Sequence, residues 1–226
     1  MLKDKSNQIA IIDTRDNRMK QTATITVEDV SEIQEMYLDI ERNQLIAVCD
    51  GYVGGKWNDD DYDYGYGQRA NTTAVTYDIS DRENPKEVGR VSQSGYYNSS
   101  RIADGYLYLF SDYYVTLDGI TAKNPKSYIP LVNDNLIEET DICLPSISKA
   151  DMYSIITSVS LENPDETAHS KALLADGGNL YVSNDNIYFY ENVWQYSGKN
   201  VTTIRKVSYE SGKLTAGAQC KNRRLY

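Results

Sequence analysis

The feature of this sequence that most constrains its fold is a spacing of two between apolar residues in short runs. In residues 22–27, Ala23, Ile25 and Val27 fall on one side of an extended chain, and residues 73–79 alternate in the same way. Such alternation is typical of β-strands that bury one face, and no apolar run is long enough for a membrane-spanning helix. The sequence therefore predicts an all-β protein.

Turn-forming residues close these runs and predict hairpins. Residues 184–186 (Asn-Asp-Asn) separate the short β runs 180–182 and 187–190, and such an arrangement is typical of a tight hairpin. A second hairpin is predicted with its turn at 210–212 (Glu-Ser-Gly). Local turn chemistry therefore supports the strands that the alternation predicts.

One segment fits two periods. Its apolar residues match a helical spacing, as in Val30, Ile33 and Tyr37, and also the alternation of a strand. A short run cannot be assigned by period alone. We expect a helical turn or loop near 29–34, followed by a strand from about 35 to 39.

A loose unit recurs along the chain and sets the scale of the fold. Each unit opens with an apolar strand that leads into a polar turn, and it closes with another β run. The whole unit covers about 30–40 residues, which approaches the length of one propeller blade. The units open at 9–14, 74–81, 153–160 and 203–208, and the first three close at 43–48, 104–109 and 178–183.

These units predict a β-propeller fragment of about three to four four-stranded blades, in which each blade buries its faces against its neighbours. We expect residues 1–226 to form a single partial domain, because three blades and a fraction do not close a ring. Two long loop insertions, near 51–71 and 111–151, are expected to separate the units. Such insertions belong on one face of the fold, where ligands usually bind.

The first insertion contains the most distinctive chemistry in the chain. Asp59, Asp61 and Asp63 alternate, so in an extended chain they share a face, where carboxylate oxygens can bind Ca²⁺. The segment departs from an EF-hand, because Tyr64 occupies its glycine position and Ala70 that of its bidentate glutamate. Calcium is therefore the candidate cofactor, and the alternative is a solvated acidic loop.

The same insertion is rich in aromatic side chains. Large rings on a glycine-rich loop can stack on sugars or on a protein partner. The alternative is that the rings pack on the loop itself. The candidate ligand-binding residues are Trp57, Tyr62, Tyr64 and Tyr66.

Four segments carry a family resemblance. They read Y-D-I-S-D and N-P-K within 77–86, G-Y-Y-N-S-S-R at 95–101, Y-I-P with C-L-P at 128–130 and 143–145, and A-D-G-G-N-L-Y-V-S at 175–183. In these segments the chain resembles the secreted β-propeller domain family of bacteria and archaea, whose propeller is distantly similar to WD40 repeats. The family domain is longer than this chain, which agrees with a fragment. Arg101, in the second segment, is expected to fix blade packing through hydrogen bonds to carboxylates.

The resemblance implies a propeller fold and an extracellular or cell-surface location, and it carries over no catalytic set. We expect a binding module that contacts a protein or a glycan through its loops. The alternative is a hydrolase acting on an extracellular polymer, with two carboxyls roughly 5–10 Å apart and one raised pKa. A single histidine and the absence of a nucleophile motif favour binding.

Composition and single residues exclude several other classes. The net charge of −10 makes nucleic acid a poor partner, because an acidic surface repels phosphate. Cys49, Cys143 and Cys220 lack zinc-site spacing and are expected to be free thiols, with Cys49 buried.

His169, in a polar stretch, is predicted to be a surface residue. The residues after Met1 form no hydrophobic signal region, so either the protein is cytosolic or its true N-terminus lies upstream.

Overall fold

The computed structural model describes residues 7–15, 18–53, 69–115, 123–144, 150–175, 179–194 and 200–223. These residues form four β-sheets, which confirms the predicted all-β class. Two short 3-10 helices, Pro125–Ser127 and Glu139–Asp141, accompany the strands.

Apart from a short parallel strand in the third sheet, the sheets are antiparallel, and most strands pair with the next one in the chain. The first sheet contains β1 (Gln8–Asp13) and β2 (Lys20–Thr26). The second contains β3 (Glu32–Asp39), β4 (Gln44–Val53), β5 (Arg69–Asp78) and β6 (Lys86–Ser94), extended by β9 (Leu131–Val132) and β10 (Asn135–Leu136). The third contains β7 (Tyr96–Ala103), β8 (Tyr106–Tyr114), β12 (Met152–Ser160) and β13 (Thr167–Ala175), extended by β11 (Ile142–Cys143). The fourth contains β14 (Asn179–Val182), β15 (Asn186–Trp194), β16 (Asn200–Glu210) and β17 (Lys213–Arg223).

Both predicted hairpins are confirmed. Val182 pairs with Ile187 across the first turn, and Glu210 pairs with Lys213 across the second. In the second turn Ser211 and Gly212 have φ angles of 47° and 79°, the left-handed conformation that two-residue hairpin loops require.

Residues 29–31 lie in the expected turn or loop, but residues 32–34 are already strand. β3 begins at Glu32, and a β-bulge between Ile33 and Glu35 interrupts its pairing with β4. A bulge inserts one extra residue and so shifts the alternation of apolar side chains. This shift explains why the spacing resembles that of a helix.

The predicted repeat has the wrong phase. The segments predicted to open the last three units are β5, β12 and β16, which are the third strands of their sheets. The run predicted to close a unit belongs to the next sheet, so each unit spans two sheets. The insertion near 51–71 therefore joins β4 to β5 inside the second sheet, and that near 111–151 joins β8 to β12 inside the third. Neither insertion separates two sheets.

A shared turn explains why the segments predicted to open the first three units are conspicuous in the sequence. At the end of β1, β5 and β12, a side-chain oxygen accepts a hydrogen bond from the backbone N–H two residues later. Such local bonds favour turns and leave a recognisable sequence pattern. The oxygens belong to Asp13, Asp78 and Ser160.

Among the described residues, the hydrophobic core forms three layers, each between successive sheets. Ile9 and Ile25 of the first sheet pack on the second, and Ile46 of the second packs in the layer that faces the third. In β8, Leu107 and Leu109 belong to the layer shared with the second sheet, whereas Tyr108 and Phe110 belong to the layer shared with the fourth. β8 is therefore apolar at successive positions because both of its faces are buried.

Residues 123–143 form a strap over the outer edges of the second and third sheets. Val132 in β9 pairs with Gln93 of β6, and farther along β11 pairs in parallel with β13. Val132 and Ile137 are buried in the layer between these two sheets. This part of the expected loop insertion near 111–151 therefore covers two edges that would otherwise expose unpaired backbone groups.

Candidate functional site

The residues that the sequence singles out for binding lie outside the described residues. They fall in segment 54–68, whose two ends are described because Val53 of β4 pairs with Arg69 of β5. The segment therefore leaves the second sheet at the end marked by this pair. The residues concerned are Trp57, Asp59, Asp61, Tyr62, Asp63, Tyr64 and Tyr66.

The connection between second and third strands is long in the second and third sheets, where it spans residues 54–68 and 115–151, and it spans residues 195–199 in the fourth. The N–H of Gly95, between β6 and β7, donates to the carbonyl of Ala70 at 2.8 Å, so the third sheet starts beside this end of the second. The opposite end carries tight turns, including Asp104 and Gly105 at positive φ. We call the end with the long connections the loop face. The pairs that mark it are Val53–Arg69, Tyr114–Met152 and Trp194–Asn200.

Two tyrosines are exposed at the described rim of the loop face. Tyr96 begins β7 and is 49% exposed, and Tyr114 ends β8 and is 58% exposed. Tyrosine offers a large amphipathic surface at a small cost in conformational entropy. The rim thus provides aromatic contact area beside the segments that join the strands.

A tyrosine and serine network joins the first strands of the second and third sheets. The hydroxyl of Tyr97 in β7 donates to Oε2 of Glu35 at 2.9 Å and lies 3.1 Å from Oγ of Ser100. Tyr37 of β3 reaches the same Ser100 oxygen at 2.9 Å. Burial raises the pKa of both tyrosines, so the hydroxyls stay protonated. The G-Y-Y-N-S-S-R segment therefore supplies polar contacts between these two sheets, beside their apolar layer.

Among the described carboxyl groups, Asp50 stands out because its pKa is raised. Burial causes the rise, against hydrogen bonds from the N–H of Tyr97 at 2.8 Å and the amide of Gln34 at 2.9 Å. A general acid needs a raised pKa but also access to a substrate. Both oxygens of Asp50 accept hydrogen bonds from the protein, so its evident role is to position β7.

Arg101 also bridges two sheets, but not through a carboxylate as expected. Its Nη2 donates to the amide oxygen of Asn184, at the turn between β14 and β15, over 3.4 Å. Burial raises the pKa of Tyr209, and the positive charge of Arg101 opposes this rise. Arg101 thus has the expected role in sheet packing, but its hydrogen-bond acceptor is a neutral amide and not a carboxylate.

A narrow crevice separates the third and fourth sheets near the loop face. Its polar wall includes Asp112, which accepts hydrogen bonds from Asn98 at 2.6 Å and Ser154 at 3.0 Å. Phe189 contributes an apolar wall. Both donors belong to the third sheet, so the Asp112 oxygens are occupied within that sheet and offer no evident site for a ligand.

A buried ion pair lines the continuation of this crevice. Arg205 donates to Oε1 of Glu191 at 2.6 Å and to the carbonyl of Leu174, in the third sheet, at 2.7 Å. Glu191 and Arg205 are only 6% and 8% exposed. Buried pairs give little net stability, but removing one partner leaves an unpaired buried charge. The pair therefore orients the fourth sheet against the third.

His169 is wrongly predicted as a simple surface residue. Its Nδ1 accepts the backbone N–H of Leu214 at 2.9 Å, and its Nε2 lies 3.3 Å from Oδ1 of Asp141. Lys171 donates to the same carboxylate at 2.7 Å. Burial alone would raise the pKa of Asp141, but the hydrogen bond and charge of Lys171 and the contact with His169 outweigh it and lower that pKa.

The described residues carry few features of a metal or redox site. No group of three or more His, Cys, Asp or Glu side chains among them is arranged to hold a metal ion. Cys49 is buried, as predicted, and burial raises the pKa of its thiol to about 12, while Cys143 is a half-buried free thiol. Within the same ranges, no helix has the length and apolar character needed to cross a bilayer.

Comparison with known proteins agrees with the sheet architecture. Neither the curated proteins nor the solved structures include a match to this chain. A family model described as beta propeller domain matches residues 2–221, which is nearly the whole chain. Four successive antiparallel sheets, with cores between their faces, fit that description. The chain therefore belongs to the beta propeller domain family.

Proposed function

We propose that this chain is a binding module that contacts a protein or a glycan through its loop face. The observation that carries the proposal is that the connections between second and third strands, two of which are long, leave from this face. Propeller loops on one face are a common location for ligands, because the sheets provide a rigid base. The acidic net charge of −10 argues against a nucleic acid partner.

Within this proposal, segment 54–68 supplies the main contact surface. Trp57, Tyr62, Tyr64 and Tyr66 contribute rings that stack on sugar faces or pack on an apolar protein patch. The exposed Tyr96 and Tyr114 lie on the adjoining rim and extend the aromatic area. Stacking of this kind gives affinity without demanding a charged ligand.

Calcium has a defined place in the same proposal. Asp59, Asp61 and Asp63 bring three negative charges close together in the sequence, and a bound Ca²⁺ would relieve their mutual repulsion. Isothermal titration with CaCl₂ tests this, with the triple asparagine variant of these residues as the control. A heat of binding in the unchanged protein that disappears in the variant supports the site, and no heat in either removes it.

The architecture of the whole protein forms part of the proposal. The second, third and fourth sheets are taken as four-stranded blades, and β1 and β2 as the third and fourth strands of another blade. This gives a partial ring of between three and four blades, so residues 1–226 are part of a larger propeller. We place the protein outside the cell or on its surface, on the basis of the family resemblance.

Alanine replacement of Trp57, Tyr64 and Tyr66 tests the binding proposal. A glycan array and a pull-down with extracellular proteins should both lose signal in this variant. The matched control replaces exposed residues of the opposite, tight-turn end, Glu41, Arg82 and Glu83. Binding that survives the first set of changes, or falls equally with the second, contradicts recognition by the loop face.

A further inference from the structure

The fourth sheet has one face without a partner among the described residues. Its inner face, with Ile187, Val207 and Leu214, is buried against the third sheet. The opposite face exposes Tyr181, Tyr190 and Ile204, which are 62%, 39% and 39% exposed. On that face the rings of Tyr181 and Tyr188 lie 6.2 Å apart between centroids.

The pairing registers show which residues of the other sheets stand at the same positions. The second strands begin after a tight turn at Gln44, Tyr106 and Asn186, so equal steps from these residues give equivalent positions. The third strands follow, because each pairs residue by residue with the second. The equivalent sets are Ile46, Tyr108 and Tyr188; Val48, Phe110 and Tyr190; and Ala74, Ile156 and Ile204.

In the second and third sheets these positions form the contact with the next sheet. Ile46, Val48 and Ala74 are buried in the layer between the second and third sheets. Tyr108, Phe110 and Ile156 occupy the layer between the third and fourth. Tyr188, Tyr190 and Ile204 therefore stand where a further layer would form.

The polar contacts between sheets follow the same register. The first-strand position held by Tyr37, Arg101 and Tyr181 reaches toward the next sheet, since Tyr37 contacts Ser100 and Arg101 contacts Asn184. The hydroxyl of Tyr108 accepts the N–H of Gly212, in the turn between the third and fourth strands of the next sheet, at 3.1 Å. A buried tyrosine hydroxyl usually has such a partner.

We propose that the exposed face of the fourth sheet is an inter-sheet contact surface whose occupant is a further four-stranded sheet of the same kind within the same chain. In that contact Tyr188 accepts an N–H from the turn between the occupant's third and fourth strands. Tyr181 reaches the occupant's first strand or the turn after it, as Tyr37 and Arg101 do in their own contacts. This inference rests on the proposal that residues 1–226 are part of a larger propeller.

Tyrosine labelling tests the contact. The protein purified from its natural host and the isolated chain 1–226 are iodinated under native conditions, and labelled tyrosines are located by mass spectrometry. Tyr181, Tyr188 and Tyr190 should react in the isolated chain and be protected in the natural protein. Tyr108, which is buried in the existing contact, is the protected control, and the exposed Tyr96 is the reactive one.

The outcomes separate the possible occupants. Protection that is independent of protein concentration supports a sheet of the same chain, whereas protection lost on dilution identifies a separate molecule and overturns the proposal. Equal reactivity in both preparations also overturns it. A Tyr188→Phe change should lower the melting temperature of the natural protein and leave that of chain 1–226 unchanged. Ligand binding by segment 54–68 is measured separately, so either proposal can fail alone.

Discussion

The backbone N–H of Leu214 donates a 2.9 Å hydrogen bond to Nδ1 of His169, and this bond joins the fourth sheet to the third. An imidazole nitrogen accepts a hydrogen bond only when it carries no proton, so the proton of the neutral ring is on Nε2. That nitrogen points at Asp141. The sole histidine of the chain is thus an acceptor toward one sheet and a donor toward another element.

Two isosteric replacements of His169 separate these contacts. His169→Asn keeps an oxygen at the position of Nδ1 and can still accept from Leu214, whereas His169→Gln places its amide at the position of Nε2. We expect the Gln variant to lose about 1–3 kcal/mol of unfolding free energy, the cost of an unpaired buried N–H, and the Asn variant to lose less. Urea unfolding at pH 7 measures the difference. Equal losses would mean that the Leu214 contact contributes little.

Asp141→Asn should reduce stability in a pH-dependent way. The pKa of Asp141 is lowered in the folded protein, so its contribution is complete above its unfolded pKa and is lost as the pH falls through the folded pKa. We expect a loss of about 1–3 kcal/mol at pH 7, because Lys171 is left without its carboxylate. The difference in unfolding free energy between the variant and the unchanged protein should become smaller below about pH 4.

Urea titrations at pH 7 and pH 3 check the Asp141 prediction. Asp134→Asn is the matched control, because Asp134 is exposed on the strap and takes part in no ion pair among the described residues. A gap that stays constant with pH would contradict a contribution from the ionised carboxylate.

Gly89→Ala should be destabilising because there is no room for a side chain. A Cβ at Gly89 would lie 2.5 Å from the carbonyl oxygen of Pro164 and 2.7 Å from the nitrogen of Asp165, both backbone atoms of the next sheet. Backbone moves less easily than a flexible side chain, so we expect a loss of about 1–3 kcal/mol. Thermal unfolding followed by circular dichroism measures it.

Gly105→Ala provides the comparison for Gly89. Gly105 has a φ of 77° but open space around it, so this change introduces only backbone strain, of about 1 kcal/mol. If Gly89→Ala proves the milder change, the close approach of the two sheets at Pro164 is not rigid.

Ser100→Ala should weaken the contact between the second and third sheets. The serine oxygen forms hydrogen bonds with the hydroxyls of both Tyr37 and Tyr97, so its removal costs each tyrosine one hydrogen bond. We expect a loss of about 1–2 kcal/mol in unfolding free energy. The neighbouring Ser99→Ala is the control, and similar losses in the two variants would argue against a special role for Ser100.

Strands and hairpins could be predicted because their signals are local. The alternation and turn residues around 184–186 lie within a few positions of one another, and so do those around 210–212. The boundary between sheets is a different matter. Gly95 alone separates β6 from β7, and its φ of 99° takes the chain from one sheet to the next. A single glycine does not interrupt the alternation of apolar residues in a recognisable way. The boundary between sheets was therefore missed, and the predicted repeat has the wrong phase.

Long-range contacts account for the rest of what the sequence missed. The strands of the strap are two residues long and have no alternation of their own. The partner of His169, Leu214, is 45 positions away and is used through its backbone, which no side-chain pattern can reveal. The binding and calcium residues of segment 54–68 stay predictions, because they lie outside the described residues.

The strap also affects how the protein unfolds locally. One connection of the third sheet covers the outer strands of both the second and third sheets, so neither outer edge can open unless the strap detaches. Amide protons in β6 and β13 should therefore exchange with solvent in a single cooperative event of common free energy. In the fourth sheet, β17 has no such cover among the described residues, and its amides should exchange by a separate opening of lower energy.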